Sequence, residues 1–243
     1  MKNEKLTRYN IIGKPVARHD AIAKATGEQL YSDDFALSGM LYGKVLRSAY
    51  PAAVLKGIDT SKAKALPGVH AVLTAADVPK NIDIAKFGQM KDVGGGFEGL
   101  YKVLADGKIR FKGEAIALVA ADALDIAEEA CALIEIDYQL EEGVFDPEEA
   151  LKPGAYLVSS ENDSNQVMRL HIHKGDVEQA FADADYVFEN EFRTGQIDHA
   201  YLEPEAGIAW IDDNGNVMIR MGTQVLEHYR TIAKVLGMPH TKV

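Results

Sequence analysis

The spacing of apolar positions changes period several times along this chain, and each change predicts an element. Residues 41–48 and 69–74 are short apolar-rich runs that predict strands. Ala115–Ala121 is continuously apolar and short enough for a buried strand. From Asp122 the period lengthens. Ala123, Ile126, Ala127, Ala130, Cys131 and Ile134 share one face of a predicted helix, with Asp122 and Asp125 at N-cap and N3 spacing. Residues 134–140 predict a returning strand. This mixture is that of an α+β domain whose sheet is covered on one face.

The flanks read differently. Residues 1–27 are polar around Gly13-Lys14-Pro15 and predict an extended lead-in, which places the first domain at 28–140. Residues 141–168 are punctuated by Glu141-Glu142-Gly143, Asp146-Pro147 and Pro153-Gly154 and predict a linker. Order returns over 169–243. Asp176 with Gln179 at N3 predicts a short helix burying Val177, Ala180 and Phe181. Residues 186–193 alternate, with Tyr186, Phe188 and Phe192 opposite Glu189, Glu191 and Arg193, the pattern of a strand with one wet side. Ala206, Ile208 and Trp210 alternate likewise, and Asn214-Gly215 turns the chain into 217–221 as a hairpin. Val225, Tyr229, Ile232 and Leu236 then form a helical stripe that Gly237 stops, with Pro239 beyond. A hairpin and one helix are marginal alone, so 169–243 is expected to be the incomplete start of an α+β domain.

Composition narrows the function classes. With 26 Lys+Arg against 37 Asp+Glu, the net charge of −11 repels phosphate backbones and argues against nucleic acid as a partner. No apolar run approaches the roughly 20 residues of a membrane-spanning helix, and the polar start carries no signal-peptide core. One cysteine excludes an internal disulfide and a self-contained Cys-ligated metal site. The expectation is a cytoplasmic protein with no membrane partner.

Few residue patterns carry chemistry by themselves. Gly94-Gly95-Gly96-Phe97-Glu98-Gly99 satisfies the spacing of a dinucleotide loop but lacks the preceding strand and following helix, so it reads as a plain loop. His171 and His173 would share a strand face, yet no third metal ligand is near in sequence. His199 and Glu203 have helical i, i+4 spacing, but Pro204 favours extended backbone before it, and a buried, mutually hydrogen-bonded cluster with Tyr201 is expected. Cys131, on the buried helix face, reads as a small hydrophobe. Thr223 as N-cap and Gln224 in the first helical turn would set free backbone N–H groups and a neutral amide where an anionic or oxo ligand could bind. The same pair serves equally as an ordinary cap.

The order of several segments goes further. Gly13-Lys14-Pro15-Val16-Ala17-Arg18-His19-Asp20-Ala21, Lys24-Ala25-Thr26-Gly27 and Tyr31-Ser32-Asp33-Asp34 resemble the opening of molybdenum hydroxylase large subunits, the xanthine dehydrogenase/aldehyde oxidase family. Gly39-Met40-Leu41-Tyr42-Gly43, Leu66-Pro67-Gly68-Val69 and Lys108-Ile109-Arg110-Phe111-Lys112-Gly113-Glu114 continue the likeness and imply an α/β hammerhead domain. Gly175-Asp176-Val177-Glu178-Gln179-Ala180-Phe181, then His199-Ala200-Tyr201-Leu202-Glu203-Pro204, then Gly222-Thr223-Gln224 resemble the start of the molybdopterin-binding domain.

The resemblance implies a molybdopterin/molybdenum cofactor, completed by sequence absent from this chain. It also implies Fe-S and FAD on partner subunits or domains, and hydroxylation of a heterocycle or aldehyde with water-derived oxygen. Gln224 matches the family glutamine that hydrogen-bonds an oxo ligand on molybdenum. Gly222 and Thr223 lie beside it as cofactor-binding candidates. The family's Gly-Gly-Gly-Phe-Gly-Gly motif and catalytic glutamate have no counterpart here, so no catalytic residue and no metal ligand is expected within the chain, which alone should be inactive. Two rivals stay open: a non-catalytic assembly module docking onto Fe-S or flavin subunits, and an independent metal hydrolase using His199 and Glu203.

Overall fold

The computed structural model describes residues 9–82, 101–166, 169 and 171–243. The Gly94–99 loop and its surroundings lie outside these residues.

The helices are α1 (Ala21–Thr26), α2 (Ser61–Ala65), α3 (Leu124–Leu133), α4 (Pro147–Ala150), α5 (Val177–Asp183) and α6 (His228–Leu236). The strands are β1 (Tyr42–Arg47), β2 (Ala53–Asp59), β3 (Val69–Leu73), β4 (Lys108–Ile109), β5 (Ala115–Ala121), β6 (Glu135–Leu140), β7 (Gly207–Ile211) and β8 (Val217–Met221). The fold is α+β, as expected, with every paired strand antiparallel. It forms two compact units: residues up to Leu37 join His199–Gln224 in one, and Ser38–Asp198 join Val225–Val243 in the other.

The larger unit holds two three-stranded sheets, β1-β5-β3 and β4-β2-β6, where the sequence pattern had suggested one. The reason lies in β5. Its successive side chains point to opposite faces. Ala117, Val119 and Ala121 join Ala127, Ala130 and Cys131 of α3 in one core, with Ala63 of α2 and Val72 of β3. Ile116, facing the other way, packs with Ala53, Ala105 and Ile109 in a second. Small side chains at the first contact let α3 lie close on the sheet. Cys131 is buried and reduced, and burial pushes its thiol upward in pKa, as a packing role requires.

A buried ion pair sits beside these cores. Arg110 and Glu114 side chains are 5% and 3% exposed, with Nη1 and Oε1 2.8 Å apart, and Glu114 also accepts the Arg110 backbone N–H at 2.6 Å. Burial nonetheless raises the Glu114 carboxyl above its ordinary value, outweighing the bonds from Arg110. The segment after β6 is anchored as well. Tyr156 donates to Glu141 at 2.6 Å, and Lys108 Nζ lies 4.4 Å from the Tyr156 ring centroid.

Several sequence expectations are corrected. The lead-in is not wholly extended: 21–26 are helix formers, and Gly27, at φ 79°, closes α1 as a left-handed C-cap. Asp122 does not cap α3, which starts at Leu124 with Ala123 at the N-cap; the Asp122 carboxylate is 2.7 Å from His70 Nε2 instead. Asp176 does cap α5, accepting Gln179 N–H at 3.0 Å, but Val177 and Phe181 stay exposed. Residues 186–193 form no strand, and Tyr186, Phe188 and Phe192 are more than four-fifths exposed. Their alternation has nothing to pair with among the described residues, and a strand exists only when its backbone groups find a partner. Among the same residues, no helix is long and apolar enough to cross a membrane.

Candidate functional site

The smaller unit gathers three segments, one from near the start of the chain and two that follow one another after residue 198. The first is the turn Ser32–Asp34, one turn of 3-10 helix, held by Tyr31 N–H donating to Asp34 Oδ2 at 2.7 Å. Short polar side chains close such turns by bonding their own backbone. The second is 199–205, which delivers Glu203. The third is the β7–β8 hairpin, whose far strand ends at Met221 and runs directly into Gly222-Thr223-Gln224.

The hairpin is built as its pattern predicts. Gly207 pairs with Met221 and Ile211 with Val217. Asp212 organises the turn, accepting N–H groups of Asn214 at 2.9 Å and Asn216 at 2.7 Å, and these bonds hold its carboxyl below the ordinary aspartate value. At the open end Gly207 is required by close approach, because a Cβ there would lie 2.9 Å from Met221 Cβ and 3.0 Å from Arg220 O. The strand end is thereby drawn in where Gly222 begins. β7 packs against the 32–34 turn, and the Arg220 guanidinium stacks 3.3 Å above the Phe35 ring.

Glu203 ties the second segment to the first and lies beside the third. Its Oε1 accepts from both the Ser32 backbone N–H and the Ser32 hydroxyl, each at 3.3 Å. A methyl on Gly222 would stand 3.6 Å from Ser32 Oγ and 3.7 Å from Glu203 Oε1, so the glycine lies directly beside this contact. Ala200 sits at φ 47°, the one non-glycine residue with positive φ among those described. That conformation costs a side-chain-bearing residue free energy, and it persists only where surrounding contacts hold it.

The expected helix-start geometry of Thr223 and Gln224 is corrected. α6 begins at His228 with Glu227 at the N-cap, so both residues lie in the irregular connection between β8 and α6. The amide-rich first turn of a helix therefore does not surround Gln224. His199, Tyr201 and Glu203 are exposed, not a buried mutual cluster, and Glu203 turns to Ser32. His171 and His173 stack with ring centroids 6.5 Å apart. No group of three or more His, Cys, Asp or Glu able to hold a metal occurs among the described residues. The Ser32–Glu203 pairing was not read from the sequence, where 171 positions separate the partners.

What this unit offers a ligand is neutral donors. Gln224 is exposed, and its carboxamide has no hydrogen-bond partner among the described residues. The backbone at Gly222 carries no Cβ, although its immediate surroundings would admit one. A free amide donor next to bare backbone suits an oxygen-rich or anionic group such as a pterin cofactor, so the residues present fit one.

The fold and these segments define a hammerhead-type α+β domain followed by sequence of a cofactor-binding domain. Residues 26–142 match the a/b hammerhead domain of aldehyde oxidase and xanthine dehydrogenase, and residues 158–243 match the molybdopterin cofactor-binding domain. The chain belongs to the xanthine dehydrogenase/aldehyde oxidase family of molybdenum hydroxylases. It is 38% identical to a probable xanthine dehydrogenase subunit of Bacillus subtilis, over 96% of this chain and 30% of that protein. It is 34% identical to the nicotinate dehydrogenase large molybdopterin subunit of Eubacterium barkeri, over 97% of this chain and 53% of that one. The aldehyde oxidoreductase of Desulfovibrio desulfuricans superposes with a TM-score of 0.84 at 28% identity, covering 95% of this chain and 26% of the other. The chain thus spans between about a third and a half of the length of these two curated relatives.

Proposed function

We propose that this chain is one section of the molybdenum-cofactor subunit of an oxidoreductase that hydroxylates a heterocycle or aldehyde with oxygen taken from water. Fe-S and FAD groups on partner subunits or domains carry the electrons away, and the enzyme works in the cytoplasm. The observation that carries this reading is the convergence of Ser32, Glu203 and Gly222 in one unit, from three segments that each resemble the family's sequence. Relatives that match over this region are named for xanthine, nicotinate and carbon monoxide, so the likeness extends across several substrate classes.

Gln224, Thr223 and Gly222 are the residues that would hold the cofactor. The Gln224 amide N–H donates to an oxygen acceptor without adding charge, which leaves the acceptor's own charge available to the reaction. Gly222 permits close backbone approach, and Thr223 adds a hydroxyl on the same segment. The bound cofactor would supply the two-electron oxidation of the substrate. By the family resemblance, removal of a proton falls to a base outside this chain.

The test is Gln224→Ala and Gln224→Glu in the assembled enzyme, with molybdenum content and turnover measured together. Loss of a hydrogen bond to a metal site of this kind costs roughly 10–100-fold in affinity or activity. The glutamate variant is expected to lose more, because it sets a carboxylate against an anionic group. Wild-type molybdenum content and wild-type turnover in both variants would sink the assignment.

A further inference from the structure

Glu203 and Ser32 are not among the cofactor-holding residues assigned above, yet their contact lies beside Gly222, the first of those residues. Two independent observations single it out. One carboxylate oxygen receives both polar donors of Ser32, its backbone N–H and its hydroxyl, and the Gly222 backbone lies beside both partners. The segment delivering Glu203 also carries Ala200 in the left-handed region at φ 47°. Such a backbone persists only where surrounding contacts hold it, and the Glu203–Ser32 contact lies three residues further along the same segment.

We propose that Glu203 and Ser32 are positioning residues for the Gly222–Gln224 segment: their contact fixes the strand end at Gly222 and so fixes where the Gln224 carboxamide is presented. The inference rests on the cofactor role of Gln224, but its mechanical half does not. Glu203 acts through its acceptor oxygen and not through its charge, because both donors it meets are neutral. Glutamine retains such an oxygen and can accept the same two bonds, whereas alanine cannot. Ser32→Ala removes only the hydroxyl donor and leaves the backbone N–H in place, so it weakens the tie without touching Glu203.

The test uses the assembled enzyme carrying Glu203→Ala, Glu203→Gln, Ser32→Ala or Gln224→Ala. Amide hydrogen exchange is followed at Ser32 and at 222–224, and molybdenum content is measured alongside. Glu203→Ala is expected to speed exchange several-fold at both places and to lower bound molybdenum. Ser32→Ala should do the same to a smaller degree, and Glu203→Gln should restore near-wild-type values of both. Gln224→Ala should lower molybdenum without changing exchange at Ser32. Unchanged exchange at 222–224 in Glu203→Ala overturns the positioning role, as does a glutamine variant that behaves like alanine. If Gln224→Ala keeps its molybdenum while Glu203→Ala still loosens 222–224, the cofactor reading falls and the mechanical tie stands.

Discussion

Single carboxylates in this chain are driven in opposite directions, and the physical cause is visible in each case. Asp212 is half-buried, and N–H groups of Asn216 and Asn214 stabilise its charged form, so its pKa is depressed on folding. A depressed folded pKa gives stability that is present above the unfolded value and lost as the pH falls through the folded one. Glu114 is buried, its pKa is raised, and the sign reverses: its contribution is largest at low pH and declines as the carboxyl ionises. Asp212→Asn keeps an oxygen acceptor for the turn amides but cannot titrate. Thermal unfolding measured from neutral pH downward should therefore show wild type ahead of Asp212→Asn above about pH 4. Below that the two curves should converge. A gap that persists unchanged into strong acid would rule out Asp212 as a titrating contributor.

At the scale of elements, β5 decides the larger unit. It lies between β1 and β3 and presents Ile116 to one core and Ala117, Val119 and Ala121 to the other. Ile116 is fully buried, so truncation there leaves a cavity that the surrounding Ala53, Ala105 and Ile109 are too small to fill. Ile116→Ala should cost about 2–5 kcal/mol, read from denaturant unfolding of the larger unit. Val119→Ala, across the strand, tests the other core and should cost less because fewer carbons are removed. Equal and negligible losses at both positions would contradict the two-core arrangement. The stop at Gly237 follows the sequence pattern, closing α6 in the left-handed conformation that glycine adopts freely, at φ 70°; Gly27, at φ 79°, does the same for α1, a helix within the stretch expected to be extended. The starts of α3 and α6 each fell later than the pattern suggested, since the eligible capping side chain at Asp122 found a tertiary partner, and the residues after Gln224 stayed irregular.

For the molecule as a whole, the informative stretch is 171–198. Ile172, Tyr186, Phe188, Phe192 and Ile197 are all at least four-fifths exposed. Isolated exposed apolar residues are ordinary, but a sustained run of large ones marks a surface that another element covers. The alternation of Tyr186, Phe188 and Phe192 is what a strand with one buried face requires, and among the described residues no neighbouring strand bonds it. Amide exchange over 185–198 should be fast in the chain alone and slow in the assembled enzyme. Equal exchange in both states would show that these residues are not covered there.

The sequence by itself determined those features whose causes are local: the apolar run of β5, the apolar face of α3, the Asn214-Gly215 turn, the Asp176 cap and the Gly237 stop. Each depends on residues within a few positions of one another, so period and side-chain chemistry suffice to reveal it. The order of its motifs likewise carried the resemblance to molybdenum hydroxylases. Tertiary structure alone decided that β2 joins β4 and β6 in a second sheet, because Lys56 and Gly57 interrupt the apolar pattern of β2. It alone brought Ser32 to Glu203 and placed Gly222 beside them, since a contact across 171 positions leaves no trace in local periodicity. It also withheld a strand from 186–193, where the pattern is right but backbone groups need a partner that the described residues do not provide.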